Sequence, residues 1–183
     1  MVSDNRKIQE QLIFKAVKSA SDELTATEIV HGIQGQHSLE DDKTWVKSTM
    51  SRLESKFDKP TVKHIRMNCQ CGQEMDKNLA LVQELFESSA SLDEFANQEK
   101  AKAAGLSAVN GELYLQFPFC PCPILADVEK LDTDTWCQCT TGYSKVLFEK
   151  VFGCEVMVEL LKSVKMGDDI CLMKIIPSAS IWK

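Results

Sequence analysis

Three Cys-x-Cys pairs carry the residue types and spacing in this sequence that could do chemistry. They account for six of the eight cysteines, Cys69 and Cys71, Cys120 and Cys122, and Cys137 and Cys139. Cys154 and Cys171 stand alone. In a reducing cytosol, clustering of this kind indicates metal or thiol chemistry before it indicates disulfides.

Metal binding is the first chemistry that this spacing suggests. Residues i and i+2 of an extended segment project from the same face, so each pair places two sulfurs within reach of one ion. A closed structural zinc site needs four Cys or His ligands, and fourteen residues separate Cys122 from Cys137, a comfortable loop for joining two pairs. The sequence therefore predicts that Cys120, Cys122, Cys137 and Cys139 bind zinc or another thiophilic metal.

The pair Cys69 and Cys71 follows the basic stretch KHIRM and precedes a helical segment. Neighbouring positive charge lowers the pKa of a thiol and makes a thiolate available, so this pair is predicted to be reactive. Two other interpretations stay open: the pair caps the next helix, or it completes the metal site by lying alongside the other two pairs.

Other roles for the paired cysteines stay open as well. Cysteine is often simply buried, and the segment FPFCPCPIL is apolar. A thiol- or metal-dependent hydrolase of a small cyclic substrate would use Cys69, Cys71 or Cys137 as its nucleophile, or a metal-bound water. A redox-responsive protein would pair its thiols reversibly and hold no metal.

Composition and charge exclude several classes of function. The 183 residues are 44% hydrophobic, as expected for a globular protein, and the formal net charge of -6 disfavours binding to nucleic acid or anionic lipid. A helix-turn-helix interpretation of residues 24–57 meets the same objection, because residues 1–60 carry nine basic and ten acidic side chains. No apolar run of about 18 residues and no signal peptide is present, so a cytoplasmic protein is expected.

Apolar spacing predicts the elements that must position these cysteines. Helical periodicity covers most of residues 1–60, and it returns over 76–88 and 92–104. Strict alternation in GELYLQF predicts a half-buried strand at which a sheet begins. A further helix leads out of the Cys137 and Cys139 pair and ends at Gly153.

The C-terminal segments EVMVELLKSV and ICLMKIIP are predicted to be strands joined by a tight hairpin around Gly167 and Asp168. The predicted fold class is α+β. A helical N-terminal region, residues 1–60, is followed over residues 61–183 by a cysteine-rich domain of helices packed on an antiparallel sheet.

The last fifty residues resemble the vinyl-reductase-like small-molecule-binding domain. The matching positions are Cys137 or Cys139, Gly142, Gly153, and the Gly-Asp-x-x-Cys sequence at Gly167, Asp168 and Cys171. The resemblance implies an α/β fold and a zinc ion beside a ligand pocket, with Cys171 and one of Cys137 or Cys139 as ligands. The further ligand positions of that family hold Leu160 and Ser163 here, and Glu159 is one residue out of register. A weaker similarity runs to the thiazoline-carboxylate hydrolases.

These observations predict a cysteine-rich metal-binding protein, with zinc the expected metal, that binds or senses a small organic ligand. Leu113, Leu115, Phe117 and Trp136 are candidates to line the ligand pocket, and they are equally good core residues. No nucleic acid and no membrane is expected as a partner, and a homodimer is left open.

Overall fold

The computed structural model describes residues 2–33, 40–72 and 74–182 of the chain. In these ranges the chain forms eight α-helices and four strands: α1 (Asp4–Ala20), α2 (Glu23–His31), α3 (Asp42–Lys56), α4 (Lys59–Met67), α5 (Met75–Glu87), α6 (Leu92–Asn97), α7 (Glu99–Ala103), β1 (Leu106–Val109), β2 (Glu112–Phe117), α8 (Gln138–Phe152), β3 (Val156–Lys162) and β4 (Cys171–Pro177). The predicted α+β class is confirmed. No helix in these ranges is long and apolar enough to span a bilayer.

Polar side chains fix the start of each of the first four helices. In every case the residue before the helix accepts a hydrogen bond from the backbone N–H three positions later, which satisfies a donor that the helix itself leaves open. The capping residues are Ser3, Asp22, Asp41 and Asp58. The chain therefore encodes the helix boundaries locally, before any packing is considered.

The chain forms two compact units. The first contains residues 1–71, 121–142 and 165–167, and the second contains residues 72–120, 143–164 and 168–183. The division expected at residue 60 does not coincide with these boundaries, because the first unit takes in α4 and two segments from much later in the chain.

The first unit has a helical core centred on two tryptophans. Trp45 and Trp136 are fully buried and meet edge to face, with ring centroids 5.8 Å apart. The Trp45 indole N–H donates to the Val30 carbonyl at 3.0 Å. On α1 the buried apolar residues are Ile13 and Val17. Each aromatic ring thus contributes apolar burial, and Trp45 also joins α3 to the end of α2.

The second unit packs helices on one face of an antiparallel sheet in the order β1-β2-β4-β3. Alternate strand residues face the core, so Leu113 pairs with Ile175 and Leu115 pairs with Met173 across β2 and β4. Helix α8 adds three buried residues, Leu147, Phe148 and Val151, to the same cluster.

Two details of the sheet differ from the sequence prediction. The sheet begins one strand earlier than expected, because Leu106–Val109 forms β1 and pairs with β2 through a turn at Asn110 and Gly111. The strands β3 and β4 pair as predicted, but a 3-10 turn over Val164–Met166 lies in their connection, so the hairpin is not tight.

Candidate thiol site

The predicted site residues are divided between the two units. Cys69, Cys71, Cys122, Cys137 and Cys139 lie in the first unit, and Cys120 and Cys171 lie in the second. The cysteines of each unit are therefore described separately, beginning with those at the end of α4.

Cys69 follows the last turn of α4 and is fully buried. Its backbone N–H donates to the Arg66 carbonyl at 3.0 Å, and its thiol donates to the Ile65 carbonyl at 3.2 Å. Burial raises the pKa of the Cys69 thiol, and the nearby positive charge of Arg66 only partly opposes this effect. Desolvation thus opposes the ready ionisation of Cys69 that its basic neighbours suggested, and the reactivity of this pair stays a prediction.

Cys139 lies in the first turn of α8 and is also buried. Burial raises the pKa of its thiol, while the positive charge of Arg66 again acts in the opposite direction. A charge on Cys139 raises the pKa of Cys69, and a charge on Cys71 raises the pKa of Cys139. Cys139 therefore lies within electrostatic range of both members of the earlier pair.

Gly142 allows the first turn of α8 to approach α4 closely. A Cβ at Gly142 would lie 1.9 Å from the Met67 carbonyl oxygen and 2.7 Å from the Met67 Cα, which no side chain tolerates. Cys139 precedes Gly142 by three residues and so shares its face of the helix. This face is turned to the end of α4, where the chain continues to Cys69.

Arg66 is a fully buried cation beside these thiols. Its guanidinium stacks over the Trp136 ring at 4.3 Å, and its two terminal nitrogens donate to Gln9 Oε1 at 3.3 Å and to the Trp136 carbonyl at 3.0 Å. Its Nε has no hydrogen-bond acceptor. In the part of the chain that the structure describes, no carboxylate lies within 4 Å of this guanidinium.

The thiol cluster consists of Cys69, Cys71 and Cys139, and its members differ in their access to solvent. Cys71 is exposed, whereas Cys69 and Cys139 are buried, and all three are free thiols. A reagent in solution therefore meets Cys71 before the two buried thiols. This arrangement suits thiol–disulfide exchange, in which one sulfur is attacked from outside and a neighbouring sulfur resolves the product.

The other four predicted metal ligands differ from one another in burial and in local structure. Cys122 is half-buried and leads into a 3-10 turn over Pro123–Leu125, and Cys137 is buried in the 3-10 turn Thr135–Cys137. In the second unit, Cys120 is half-buried, and Cys171 lies buried on β4 opposite Phe117. Within residues 2–33, 40–72 and 74–182, no three His, Cys, Asp or Glu side chains are grouped so as to hold a metal ion. Zinc binding stays a prediction.

The Gly-Asp-x-x-Cys sequence has a local structural role. Asp168 accepts a hydrogen bond from the Ser163 N–H at 2.8 Å, and its own N–H donates to the Ser163 carbonyl at 3.1 Å. Glu159 pairs across the sheet with Lys174, whereas Leu160 packs against the core cluster. The one-residue offset of Glu159 therefore places it on the opposite face from Leu160, as the alternation of a strand requires.

The residues proposed to line a ligand pocket belong to the two cores. Leu113 and Leu115 are buried between the sheet and its helices, Phe117 packs against the same cluster, and Trp136 is buried in the first unit. An open surface depression of about 570 Å³ lies on the second unit instead. It is lined by Ala80, Gln83, Glu84, Glu87 and Ser88.

A family model described as a family of unknown function, DUF6144, matches residues 2–182. The chain belongs to this family. No curated protein and no solved structure is significantly similar to it. Membership in the DUF6144 family covers both units, because the match spans nearly the whole chain, and it adds no chemistry to that of the thiol cluster.

Sequence reasoning missed the role of Arg66. A signal for it was present, because Val62, Ile65, Arg66 and Cys69 recur with helical spacing and all four are buried. An arginine at a core-facing position of an amphipathic helix needs a specific partner. Here its partners are the Trp136 ring and carbonyl and the Gln9 side chain.

Proposed function

We propose that this protein is a thiol redox-responsive protein whose reversible step is disulfide formation between Cys71 and Cys139, in the cytoplasm. The observation that carries this proposal is the placement of an exposed thiol, Cys71, within electrostatic range of a buried thiol, Cys139, from a distant part of the sequence. A disulfide between them would link an exposed residue to a buried residue of the first unit.

The chemistry balances with a low-molecular-weight disulfide such as glutathione disulfide as oxidant. The Cys71 thiolate attacks one sulfur, the S–S bond breaks, and the departing glutathione thiolate takes up a proton. The Cys139 thiol then loses its proton and attacks the Cys71 sulfur of the mixed disulfide, which releases the second glutathione. Two protein thiols are oxidised and one glutathione disulfide is reduced to two thiols.

Arg66 supports the second of these steps. A buried thiol resists deprotonation, and the raised pKa of Cys139 reflects this cost. The buried guanidinium offers the developing thiolate a positive charge that no carboxylate in the described residues neutralises. Cys139 also lies in the first turn of the fifteen-residue helix α8, where the helix dipole favours negative charge.

The experiment is disulfide mapping in the full chain. Protein purified without a metal-chelating tag is reduced, exposed to glutathione disulfide, denatured in acid, alkylated and analysed by peptide mass spectrometry. We expect one linked peptide that joins Cys71 to Cys139 and disappears on treatment with dithiothreitol. The variants C71S and C139S should lose this link, whereas C154S, altered at a half-buried cysteine of the second unit, should retain it. Full alkylation of Cys71 and Cys139 after oxidation would overturn the proposal.

Zinc binding coupled to recognition of a small organic ligand is the second candidate. The observation that favours it is the convergence of three sulfurs, Cys69, Cys71 and Cys139, from two segments of the chain. A bound ion would have to draw these sulfurs closer than they lie without it. Elemental analysis of the anaerobically purified protein decides between the candidates: about one zinc per chain with shielded thiols supports metal binding, and reactive thiols without metal support the redox role.

A further inference from the structure

The thiol cluster contains one more sulfur than a single disulfide uses. Cys139 is within electrostatic range of Cys71 on one side and of Cys69 on the other. The two outer thiols differ sharply in exposure, because Cys69 is 0% exposed and Cys71 is an exposed residue. Cys139 therefore interacts electrostatically with one exposed thiol and with one buried thiol of the earlier pair.

The backbone geometry places Cys139 near Cys69 and Cys71 independently of the pKa shifts. Gly142 touches the Met67 carbonyl group, and Cys139 lies on the same helix face one turn earlier. Cys69 follows Met67 by two residues, and its thiol is directed back toward the Ile65 carbonyl at the end of α4. Cys71 continues the chain outward from Cys69. The approach of α8 to α4 thus brings the first turn of α8 to the segment that holds both other thiols.

We propose that the cluster reacts with two molecules of a low-molecular-weight disulfide, by passing a disulfide inward from Cys71–Cys139 to Cys69–Cys139 and leaving Cys71 as the site of modification by the corresponding thiol. This proposal rests on the proposed function and deepens it. The final state would be a buried Cys69–Cys139 disulfide with Cys71 linked to glutathione. Lasting glutathione on Cys71 would thus form only after reaction with a second molecule of oxidant.

The steps balance. The Cys69 thiol loses its proton and attacks Cys139 in the first disulfide, so that the Cys69–Cys139 bond forms and Cys71 leaves as a thiolate. Cys71 then attacks a second glutathione disulfide, forms the mixed disulfide and releases one glutathione. Overall, three protein thiols and two molecules of glutathione disulfide give one protein disulfide, one mixed disulfide and three glutathione thiols.

The test follows the wild-type chain over time, so it does not depend on whether any variant folds. Fully reduced protein is mixed with glutathione disulfide, and samples are quenched in acid, alkylated and mapped by mass spectrometry. We expect the Cys71–Cys139 link to appear first and then to decline as the Cys69–Cys139 link and glutathione on Cys71 accumulate together. The variant C69A should stop at the first disulfide, with no glutathione on Cys71, and C154S should behave as wild type.

The outcomes separate this inference from the proposal on which it rests. A Cys71–Cys139 disulfide that persists while Cys69 stays reduced would overturn the inward transfer and leave the redox role standing. A lasting Cys69–Cys71 disulfide, or no disulfide at all, would overturn both. Glutathione that remains on Cys71 at the end of the reaction without a Cys69–Cys139 link would also contradict the transfer, because the lasting modification would then need no internal disulfide.

Discussion

The α-carbon of Gly142 lies so close to Met67 that a Cβ on the glycine would fall 1.9 Å from the Met67 carbonyl oxygen. Both sides of this contact are backbone, so neither can rotate away. Helix α8 can start beside the end of α4 only because position 142 carries no side chain, and the Cys139 thiol owes its place in the cluster to this approach.

Replacing Gly142 by alanine should therefore separate the two segments. We expect G142A to lower the free energy of unfolding by about 3 kcal/mol, the upper end of the usual cost of overpacking, and to slow formation of the Cys71–Cys139 disulfide. Urea unfolding and disulfide mapping measure the two effects.

The control for this substitution is Gly153→Ala. Gly153 has a φ of 66° but nothing within 4 Å of an added Cβ, so G153A should cost only the backbone strain of about 1–2 kcal/mol and leave the rate of disulfide formation unchanged. A G142A protein as stable and as quickly oxidised as wild type would show that the contact does not position Cys139.

Stability of the reduced protein should decline in alkaline solution because of Cys69 and Cys139. Burial raises the pKa of both thiols above the ordinary thiol value of 9.0, so the folded state holds their protons more tightly than the unfolded state. Their contribution is complete below about pH 9 and is lost as the pH rises from there through the higher folded pKa values.

The measurement is the urea midpoint under reducing conditions between pH 7 and pH 10, compared with a C69A/C139A double variant. The variant should start lower, because it loses buried side-chain atoms, and its midpoint should fall less steeply above pH 9. Parallel curves for the two proteins would mean that these thiols ionise as easily when folded as when unfolded.

Removing the charge of Arg66 should slow oxidation. In R66M the thiolate of Cys139 loses a buried positive neighbour, so its pKa should rise further. A higher pKa lowers the fraction of Cys139 that is thiolate at neutral pH, so we expect the Cys71–Cys139 disulfide to form several times more slowly.

Arg52 provides the matched control for this prediction. It is a half-buried arginine of the first unit whose Nε donates to the Ile29 carbonyl at 2.7 Å, and it does not contribute to the pKa shift of either buried thiol. R52M should therefore oxidise at the wild-type rate. Equal slowing of R52M and R66M would mean that general loosening of the unit, and not the charge, controls the reaction.

The turn between β1 and β2 should respond differently to two substitutions. Asn110 and Gly111 both have positive φ angles, 53° and 78°, as the two central residues of a type I′ hairpin turn require. No atom lies within 4 Å of a Cβ added to Gly111, so G111A should cost about 1–2 kcal/mol through backbone strain alone.

N110G places the residue best suited to that conformation at the neighbouring position and should leave the urea midpoint close to that of wild type. A G111A midpoint equal to that of N110G would contradict the assignment of this turn.

The sequence predicted those parts of the fold that depend on local periodicity. The spacing of Val46, Met50 and Leu53 correctly indicated a helix, and all three are buried in α3. Alternation in Leu113 and Leu115 correctly indicated the core-facing side of β2. Strand β1 was missed because it has four residues, too few to show alternation, although Asn110–Gly111 beside β2 is a strong hairpin signal.

The candidate site was predictable only in part. The Cys-x-Cys spacing singled out the residues on which the proposed chemistry depends, whereas the metal site that the same spacing suggested stays a prediction. The pKa of Cys69 could not be predicted, because it depends on burial by segments distant in sequence. In the sequence, Arg66 belongs to the basic stretch that suggested an exposed, reactive site. In the structure it is fully buried and packs on Trp136.

The interleaving of the two units also sets the order in which the chain can fold as it is made. The first unit is complete only when Lys165–Gly167 has been added, because the Lys165 ammonium donates to the Val128 carbonyl at 2.6 Å and its own carbonyl accepts from the Leu131 N–H at 2.8 Å. During synthesis from the N-terminus, Cys69 and Cys71 leave the ribosome long before the residues that bury Cys69. The nascent chain therefore exposes to solvent two thiols of which the finished protein leaves only one, Cys71, exposed.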